Sequence, residues 1–258
     1  MRQIPTGEEL NEYYSAYSYG REQYLSPLTI ESYNNLLDEF EKFRKTGKIL
    51  DVGCGAGFFL EQAKKRGWTA FGTEYSETAI QLCRDKGINM KEGVLDVNDF
   101  NSEEFDVVTS FEVLEHINNP MEEMKSISQL LRKDGLFYCT TPNFNSLMRY
   151  YLKSNYNVIK YPEHLTYYTK KTLNRLMRAH GMVNTKFRSH GISITRIKTS
   201  KGTSSERIID ANNSDERLRK KIQKNGYLKL VKSIVNNIFT WTNTGLTLKG
   251  YYQKKVTN

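Results

Sequence analysis

The sequence has few cysteines and no long apolar run among its 258 residues. Its three cysteines, Cys54, Cys83 and Cys139, are far apart along the chain and form no Cys-x-x-Cys pair, which argues against zinc and redox motifs. We expect reduced thiols that pack as small hydrophobic side chains. No segment approaches the ~20 apolar residues of a membrane-spanning helix, and the first residues lack a secretion-signal pattern. A cytoplasmic globular protein with a sizeable core is therefore expected.

Acidic residues are scarce only in the last quarter of the chain. Residues 1–195 carry 24 Lys and Arg against 25 Asp and Glu, whereas residues 196–258 carry 14 against 4. The formal net charge of +9 therefore arises from the C-terminal segment. Because the rest of the chain is nearly neutral and no RNA-binding module is recognisable, we do not expect a nucleic acid partner.

Short apolar runs alternate with helical patterns from Lys48 onward. Five runs have the length and composition of strands: 49–52, 69–73, 88–91, 105–109 and 135–140. Such strict alternation predicts a doubly wound α/β fold, in which helices cover both faces of a mostly parallel sheet. Residues 183–188 and 246–252 are two further strand candidates. In such a sheet, ligands bind beyond the carboxyl ends of the strands, where the strand order reverses.

Three segments are expected along the chain. Residues 1–46 form a lid and a helix, and their first part is rich in tyrosine and poor in aliphatic residues. The tyrosines are Tyr13, Tyr14, Tyr17, Tyr19 and Tyr24. Residues 47–197 form the ligand-binding core. Residues 198–258 hold a polar mobile loop at 198–215, an amphipathic helix and the final strand.

The amphipathic helix, at 227–239, has an apolar stripe and lies beside three lysines, Lys224, Lys229 and Lys232. Two interpretations remain open. Either the stripe packs into the core, as apolar stripes at this spacing commonly do, or it rests on an anionic membrane and holds the protein peripherally at that surface.

The segment Asp51-Val52-Gly53-Cys54-Gly55-Ala56-Gly57 carries the strongest motif. A backbone approaches a ligand closely only where side chains are absent, so the alternate glycines Gly53, Gly55 and Gly57 predict a ligand-contacting loop. Their spacing differs from Gly-x-Gly-x-x-Gly, which places a pyrophosphate at a helix N-terminus. S-adenosylmethionine (SAM) has no phosphate and carries an ammonium group, which suits the acid Asp51 at the edge of the loop.

Two more acids follow the next two strands. Glu74 ends the second predicted strand, where a carboxylate can accept both ribose hydroxyls of a nucleoside. Asp96 follows the third, where its side chain suits the exocyclic amine of adenine and Val97 offers a backbone contact. Each acid alone is also explained as a cap or a turn residue. Neighbours of these positions complete the predicted cofactor-binding set: Cys54, Tyr75 and Phe111.

Ordered motifs along the chain resemble those of class I SAM-dependent methyltransferases of the type 11/23 kind. They are the glycine loop, Gly72-Thr73-Glu74, Phe105-Asp106-Val107-Val108 ahead of Glu112-Val113-Leu114-Glu115-His116-Ile117, and Leu131-Arg132-Lys133-Asp134-Gly135-Leu136. The resemblance spans residues 48–181 and implies SAM as the cofactor. It also implies a seven-stranded sheet whose antiparallel last strand comes, with a helix, from the C-terminal segment. It does not imply the acceptor, because one fold carries many different sites.

The stretch from Glu112 to His116 is similar to one in ubiquinone-pathway O-methyltransferases and in small-RNA 2′-O-methyltransferases. The resemblance implies that Glu112, Glu115 and His116 hold magnesium or a related ion. In a helix these side chains would share one face, where an ion could bind the vicinal oxygens of an acceptor. The same string also occurs in relatives without a metal. We therefore expect no metal, and these three residues as the ligands if one does bind.

The string from Tyr161 to Thr169 resembles the region after the fifth strand in methyltransferases of polysaccharide and antibiotic-sugar pathways. His164 in this string is the first choice for a base or a substrate contact, and its tyrosine neighbours suit stacking on a sugar or an aromatic ring. His116 and Glu112 complete the predicted catalytic residues. A plain structural role for His164, as the cap of the following turn, stays open.

The leading prediction is O-methylation of a hydroxyl on a sugar or another small molecule, by in-line transfer with a histidine base. The acceptor would be a small molecule or a glycan, such as a sugar nucleotide or a lipid-linked saccharide, in polysaccharide biosynthesis. The alternatives are a catechol-type quinone precursor as acceptor, 2′-O-methylation of RNA, and a module that binds SAM without catalysis.

Overall fold

The computed structural model describes residues 4–15, 25–205 and 213–255. Tyr17, Tyr19 and Tyr24 of the predicted N-terminal arm, and residues 206–212 of the predicted loop, lie outside these ranges. Within the described ranges, no helix combines the length and the apolar character that crossing a membrane requires.

One seven-stranded sheet organises the protein, which confirms the predicted doubly wound α/β fold. Its strands are β1 (Lys48–Val52), β2 (Thr69–Glu74), β3 (Asn89–Glu92), β4 (Phe105–Phe111), β5 (Leu131–Pro142), β6 (Met182–His190) and β7 (Thr247–Lys254). The order is β3-β2-β1-β4-β5-β7-β6, with β1 to β5 paired in parallel. Strand β7 is antiparallel to both of its neighbours, β5 and β6. The order reverses between β1 and β4, which places a ligand cleft at the carboxyl ends of these two strands.

Helices cover both faces of this sheet. They are α1 (Gly7–Ser15), α2 (Pro27–Phe40), α3 (Phe58–Lys65), α4 (Glu77–Asp85), α5 (Pro120–Leu130), α6 (Leu147–Leu152), α7 (Lys170–Arg178), α8 (Ile194–Ser200), α9 (Ser214–Gln223) and α10 (Gly226–Thr242). Successive strand residues point to opposite faces. Ile49 of β1 accordingly packs with α2 and α3, whereas Leu50 packs with α5 and α7. The central strands are apolar on both sides because both sides are buried.

Local sequence signals set where the helices begin. The hydroxyl of Ser26 accepts a hydrogen bond from the Leu28 amide, and Pro27 occupies the first turn of α2. The side chain of Asn119 caps α5 in the same way ahead of Pro120. Thr169 forms a reciprocal capping box at the start of α7. These residues satisfy amides that a helix N-terminus leaves unpaired.

The C-terminal segment is more ordered than the sequence pattern predicts. The predicted mobile loop at 198–215 is wrong at both ends, because α8 extends to Ser200 and α9 begins at Ser214. Asp215 holds the two helices together: its carboxylate accepts hydrogen bonds from the amides of Ile194 (2.6 Å) and Thr195 (3.2 Å). Capping contacts between distant segments leave no mark on local composition, which explains the error.

Candidate active site

A cavity of about 660 Å³ lies at the carboxyl ends of β1 and β4, where the strand order reverses. Its wall includes Gly53 from the glycine loop, Thr73 and Glu74 from β2, and the segments 93–95 and 111–113 after β3 and β4. Helix α5 contributes Glu122 and Glu123, and α1 contributes Leu10 and Tyr13. The cavity is large enough for a cofactor or drug-sized ligand. The expected role of the N-terminal segment as a lid stays a prediction.

Glycine is required in the loop between β1 and α3 for both backbone and steric reasons. Gly53, Gly55 and Gly57 all have left-handed backbones, with φ of 68°, 52° and 71°. A Cβ added to Gly53 would lie 2.7 Å from a methyl group of Val113, and one on Gly57 would lie 2.6 Å from the sulfur of Cys83. The loop therefore packs closely against its surroundings while Gly53 faces the cavity.

Asp51 lies behind the cavity wall at the end of β1. It is buried, and its carboxylate accepts a hydrogen bond of 2.7 Å from the hydroxyl of Thr109. Burial raises the pKa of Asp51 to about 7, against the opposing effect of that hydrogen bond, and the negative charge of Glu74 raises it further. An ammonium group nearby would favour the charged carboxylate. The assignment of Asp51 to the ammonium of the cofactor stays a prediction.

The carboxylate of Glu74 ties the glycine loop to the start of α4. One oxygen accepts a hydrogen bond from the Gly55 amide (2.8 Å), and the other accepts from the amides of Tyr75 (2.9 Å) and Ser76 (3.2 Å). Both Glu74 and Tyr75 line the cavity. A carboxylate offers about four lone-pair sites, so these bonds leave acceptor capacity for ribose hydroxyls.

The segment after β3 meets the cavity at residues that precede the predicted adenine contacts. Gly93, Val94 and Leu95 line the wall, but Asp96 and Val97 do not. The side chain of Asp96 instead accepts a hydrogen bond of 2.8 Å from the Asn98 amide and caps a short 3₁₀ helix, the turn role that the sequence left open.

Cys54 contributes packing beneath the loop. Its sulfur lies 3.9 Å from that of Cys83 and 4.0 Å from the sulfur of Met90. All three cysteines are free, as expected, although the distance along the chain conceals the contact between Cys54 and Cys83. Phe111, the other predicted neighbour, lines the cavity at the end of β4.

Glu112 follows β4 and lines the cavity two strands away from Glu74 at the end of β2. Its backbone is left-handed (φ 54°), a strained conformation for a residue with a side chain. Its amide donates to the carbonyl oxygen of Thr140 at 3.0 Å, which fixes the turn against β5. The carboxylate is open to the cavity yet surrounded by protein, and this burial raises its pKa. A hydrogen bond with Thr140 and the charges of Arg196 and Lys249 act in the opposite direction.

Three further side chains converge beside Glu112: Glu115, His116 and His164. Each offers a ligand atom within 4.8 Å of the others. The two imidazole rings meet edge to face with their centroids 4.7 Å apart. Glu115 is buried and accepts a hydrogen bond of 2.8 Å from the Thr141 hydroxyl. His116 lines the cavity, whereas His164 lies behind it and outside the lining residues.

Both histidines are held in one tautomer by backbone carbonyls. The Nδ1 atom of His116 lies 2.5 Å from the Glu163 carbonyl oxygen, and that of His164 lies 2.6 Å from the Val158 carbonyl oxygen. A carbonyl oxygen only accepts, so Nδ1 carries the proton and Nε2 keeps its lone pair. Burial lowers the pKa of His116 to about 4 and also lowers the pKa of His164. The two rings are therefore neutral near pH 7.

This donor set fits a divalent metal, but not the set expected from the sequence. The predicted ligands were Glu112, Glu115 and His116, on the assumption of a helix; only 114–116 form a short 3₁₀ turn, and His164 replaces Glu112 in the cluster. Two imidazoles and one carboxylate suit zinc, iron or a similar ion better than magnesium, which prefers oxygen ligands. The carbonyls that hold both Nδ1 atoms are the outer support that metal-binding histidines usually have.

Comparison with known proteins decides the family. A family model described as a methyltransferase domain matches residues 22–186, more than half of the chain. The chain belongs to the class I SAM-dependent methyltransferases. The resemblance stated from the motifs is thereby confirmed, and SAM is the cofactor of this family.

Individual relatives agree with that assignment. The methyltransferase is 34% identical over 107 residues to a ubiquinone biosynthesis O-methyltransferase of Actinobacillus pleuropneumoniae, covering 37% of this chain and 46% of the relative. A protein of the same name from Methylococcus capsulatus is 35% identical over 112 residues, covering 41% and 47%. The matches span just under half the length of these curated relatives. A SAM-dependent methyltransferase from Archaeoglobus fulgidus has the same fold, with a TM-score of 0.58, 18% identity, and coverage of 88% and 93%.

Some residues of the methyltransferase cavity carried no recognisable sequence signal. Glu123 lines it from α5, and burial raises the pKa of this carboxyl to about 7. Val113 packs against Gly53, and Thr109 holds Asp51. A helical acid and a β-branched residue in a strand are ordinary by composition, so only the tertiary arrangement distinguishes them.

Proposed function

We propose that this methyltransferase transfers the methyl group of SAM to a hydroxyl of a small molecule or a glycan. The observation that carries the proposal is the layout of one cavity. Glu74 ends β2, on the side that suits the nucleoside, and Glu112 and His116 follow β4 at the second end, two strands away in the sheet. The acceptor would occupy this second end, with its hydroxyl in line with the sulfonium.

His116 is the base in this proposal, and His164 positions it. The acceptor oxygen forms the new O–CH₃ bond while the S–CH₃ bond breaks, and the bonding pair returns to sulfur to give S-adenosylhomocysteine. The hydroxyl proton passes to Nε2 of His116, the nitrogen that keeps its lone pair because Nδ1 is held by the Glu163 carbonyl. His164, first choice from the sequence, supports this ring edge to face.

A methyl-transfer assay with labelled SAM and pools of sugar nucleotides, glycans, quinone precursors and RNA tests the proposal. His116→Ala and His164→Ala are expected to lower transfer at least a hundredfold, because general base catalysis contributes about that much or more. SAM affinity should change little. His180→Ala is the matched control, since the Nδ1–H of His180 donates to the Leu176 carbonyl oxygen just beyond α7, and His180 is not among the residues that line the cavity. Full transfer by both variants would remove the histidines from the mechanism, and no transfer despite SAM binding would favour a non-catalytic module.

A catechol-type quinone precursor is the second candidate acceptor. The cluster of Glu115, His116 and His164 supports it, because a divalent ion there would bind vicinal oxygens and lower the pKa of a hydroxyl. The relatives named as ubiquinone biosynthesis O-methyltransferases support it too. The same assay separates the candidates: transfer that stops with EDTA and returns with a divalent metal favours the catechol, and transfer unaffected by EDTA favours the sugar hydroxyl.

We propose that α10 rests on an anionic membrane. Six of its large apolar side chains are exposed, from Tyr227 (73%) to Trp241 (84%): Tyr227, Leu230, Val231, Ile234, Ile238 and Trp241. Spacings of three and four residues put them on one face. The opposite face meets β6, where Asn236 accepts a hydrogen bond from the Gly191 amide and Phe239 is buried.

The charge of the residues around α10 supports contact with an anionic membrane. No Asp or Glu follows Glu216 in the sequence, whereas ten Lys and Arg do. Lys221, Lys224 and Lys229 are exposed near the start of the stripe. Apolar anchors, an interfacial tryptophan and nearby lysines are the features of helices that lie in an anionic membrane surface. A cytoplasmic location and a part in polysaccharide biosynthesis remain predictions.

A further inference from the structure

A line of cationic side chains leads away from the acceptor end of the cavity. In the antiparallel pairing of β7, Lys249 lies opposite Thr140 of β5 on one side and opposite Arg188 of β6 on the other. Residues directly opposite in an antiparallel pair point to the same face of the sheet. Thr140 is also the residue whose hydroxyl and carbonyl oxygens accept hydrogen bonds from the Glu112 amide. Lys249 is therefore one strand, about 4.8 Å, beyond Thr140 at the cavity end.

Lys249 is a half-buried cation without a matching anion. Across the described ranges 4–15, 25–205 and 213–255, no carboxylate lies within 4.0 Å of its amino group. Burial lowers the pKa of Lys249, and the neighbouring charges of Arg188 and Lys232 lower it further, while Glu112 acts in the opposite direction. Buried charges in proteins are normally paired, so an unpaired one marks a place where an anion is missing.

The nearby acids do not balance this positive charge. Glu39 pairs with Arg188 at 3.2 Å, but it also pairs with Lys186 at 2.6 Å. The positive charges of Arg196 and Lys249 both oppose the burial that raises the pKa of Glu112. At the end of β6, burial lowers the pKa of His190, and the charges of Lys249, Arg188 and Lys232 lower it in addition. Two carboxylates thus face several cations, and the balance is positive beside the acceptor end.

We propose that the methyl acceptor is itself an anion, whose phosphate or carboxylate group is bound by Lys249 together with Arg188. Its hydroxyl lies at Glu112 and His116 while the anionic group lies over Thr140 and Lys249. The spacing of one strand plus a lysine side chain suits a sugar phosphate or a comparably small acid. This inference rests on the proposed function, because it names the class of acceptor for the same site.

Binding of inorganic pyrophosphate to the protein saturated with S-adenosylhomocysteine tests the inference without any methyl transfer. Titration calorimetry should detect binding that weakens as salt rises. Lys249→Met removes the charge and keeps the apolar stem, so affinity should fall at least tenfold, and Lys249→Arg should restore most of it. Malonate in place of pyrophosphate distinguishes a carboxylate site from a phosphate site.

Lys254→Met is the matched control from the same strand, because Lys254 pairs with Glu103 at 2.9 Å at the far end of β7. It should change the affinity less than twofold. Equal binding by both Met variants, or no binding of either probe by the unaltered protein, would overturn the inference. If the protein in that case methylates only neutral acceptors, the proposed function still holds. Pyrophosphate binding without transfer to any acceptor would instead contradict the proposed function.

Discussion

Single residues in the glycine loop carry the tightest structural constraints. Gly57 has both a left-handed backbone and a Cβ direction filled by Cys83 and Ile88. Gly202 shares the left-handed backbone (φ 67°) but has open space around it. Comparison of the two separates backbone strain from steric overlap.

We predict that Gly57→Ala lowers the free energy of unfolding by roughly 2–4 kcal/mol, from backbone strain plus overpacking against the Cys83 sulfur. Gly202→Ala should lower the free energy of unfolding by about 1 kcal/mol, because it adds backbone strain without steric overlap. Urea denaturation followed by circular dichroism measures both. Equal losses would mean that the close packing of the loop on α4 does not contribute.

At the scale of elements, the exposure of the apolar stripe on α10 decides between core packing and membrane contact. The sequence predicts a helix at 227–239 and leaves core packing and membrane contact open. The structure extends it to Gly226–Thr242, with the Asn225 side chain as its N-cap and Asn243 in a left-handed conformation at its end. Its apolar stripe faces outward rather than into the core.

We predict that the protein floats with vesicles that contain phosphatidylglycerol but not with phosphatidylcholine alone, and that salt weakens the binding. Ile234→Glu should abolish flotation because it puts a charge in the stripe. Ser233→Glu makes the same charge change on the adjacent, non-apolar side and should retain most of the binding. The contrary outcome is a dimer that does not bind vesicles and that Ile234→Glu converts to a monomer. That result would show that a second copy of the chain covers the stripe.

Periodicity identified the strands of the sheet and the helix at 227–239 because it reports which faces are buried. Periodicity could not place the end of α8 or the start of α9, since both helices depend on the contact between Asp215 and residues 194–195. The glycine loop and Glu74 could be predicted as cofactor contacts because a close ligand approach restricts the residue type. Gly53 and Glu74 line the cavity, and their contact with the cofactor stays a prediction. The contact between His116 and His164 was not predicted, because the two residues are 48 positions apart and meet only through the loop after β5.

At the scale of the whole molecule, segments that are far apart along the chain meet at the cavity and next to it. Strand β7, from the end of the chain, inserts between β5 and β6 and brings Lys249 beside Thr140. From the N-terminal segment, α1 contributes Leu10 and Tyr13 to the cavity wall, and the Asn118 side chain donates to the Pro5 carbonyl oxygen at 3.1 Å. The account therefore depends on a cofactor site at the switch point between β1 and β4 that the rest of the chain encloses.

The most direct test of that central claim is titration calorimetry of SAM with the purified protein and with two glutamate variants. Glu74→Gln should weaken SAM binding at least tenfold, about 1.4 kcal/mol, because it removes the charge beside Gly55 and the ribose position. Glu77→Gln, an exposed residue three positions along in α4, should bind as the unaltered protein does. Absence of SAM binding, or equal affinity in both variants, would contradict the account.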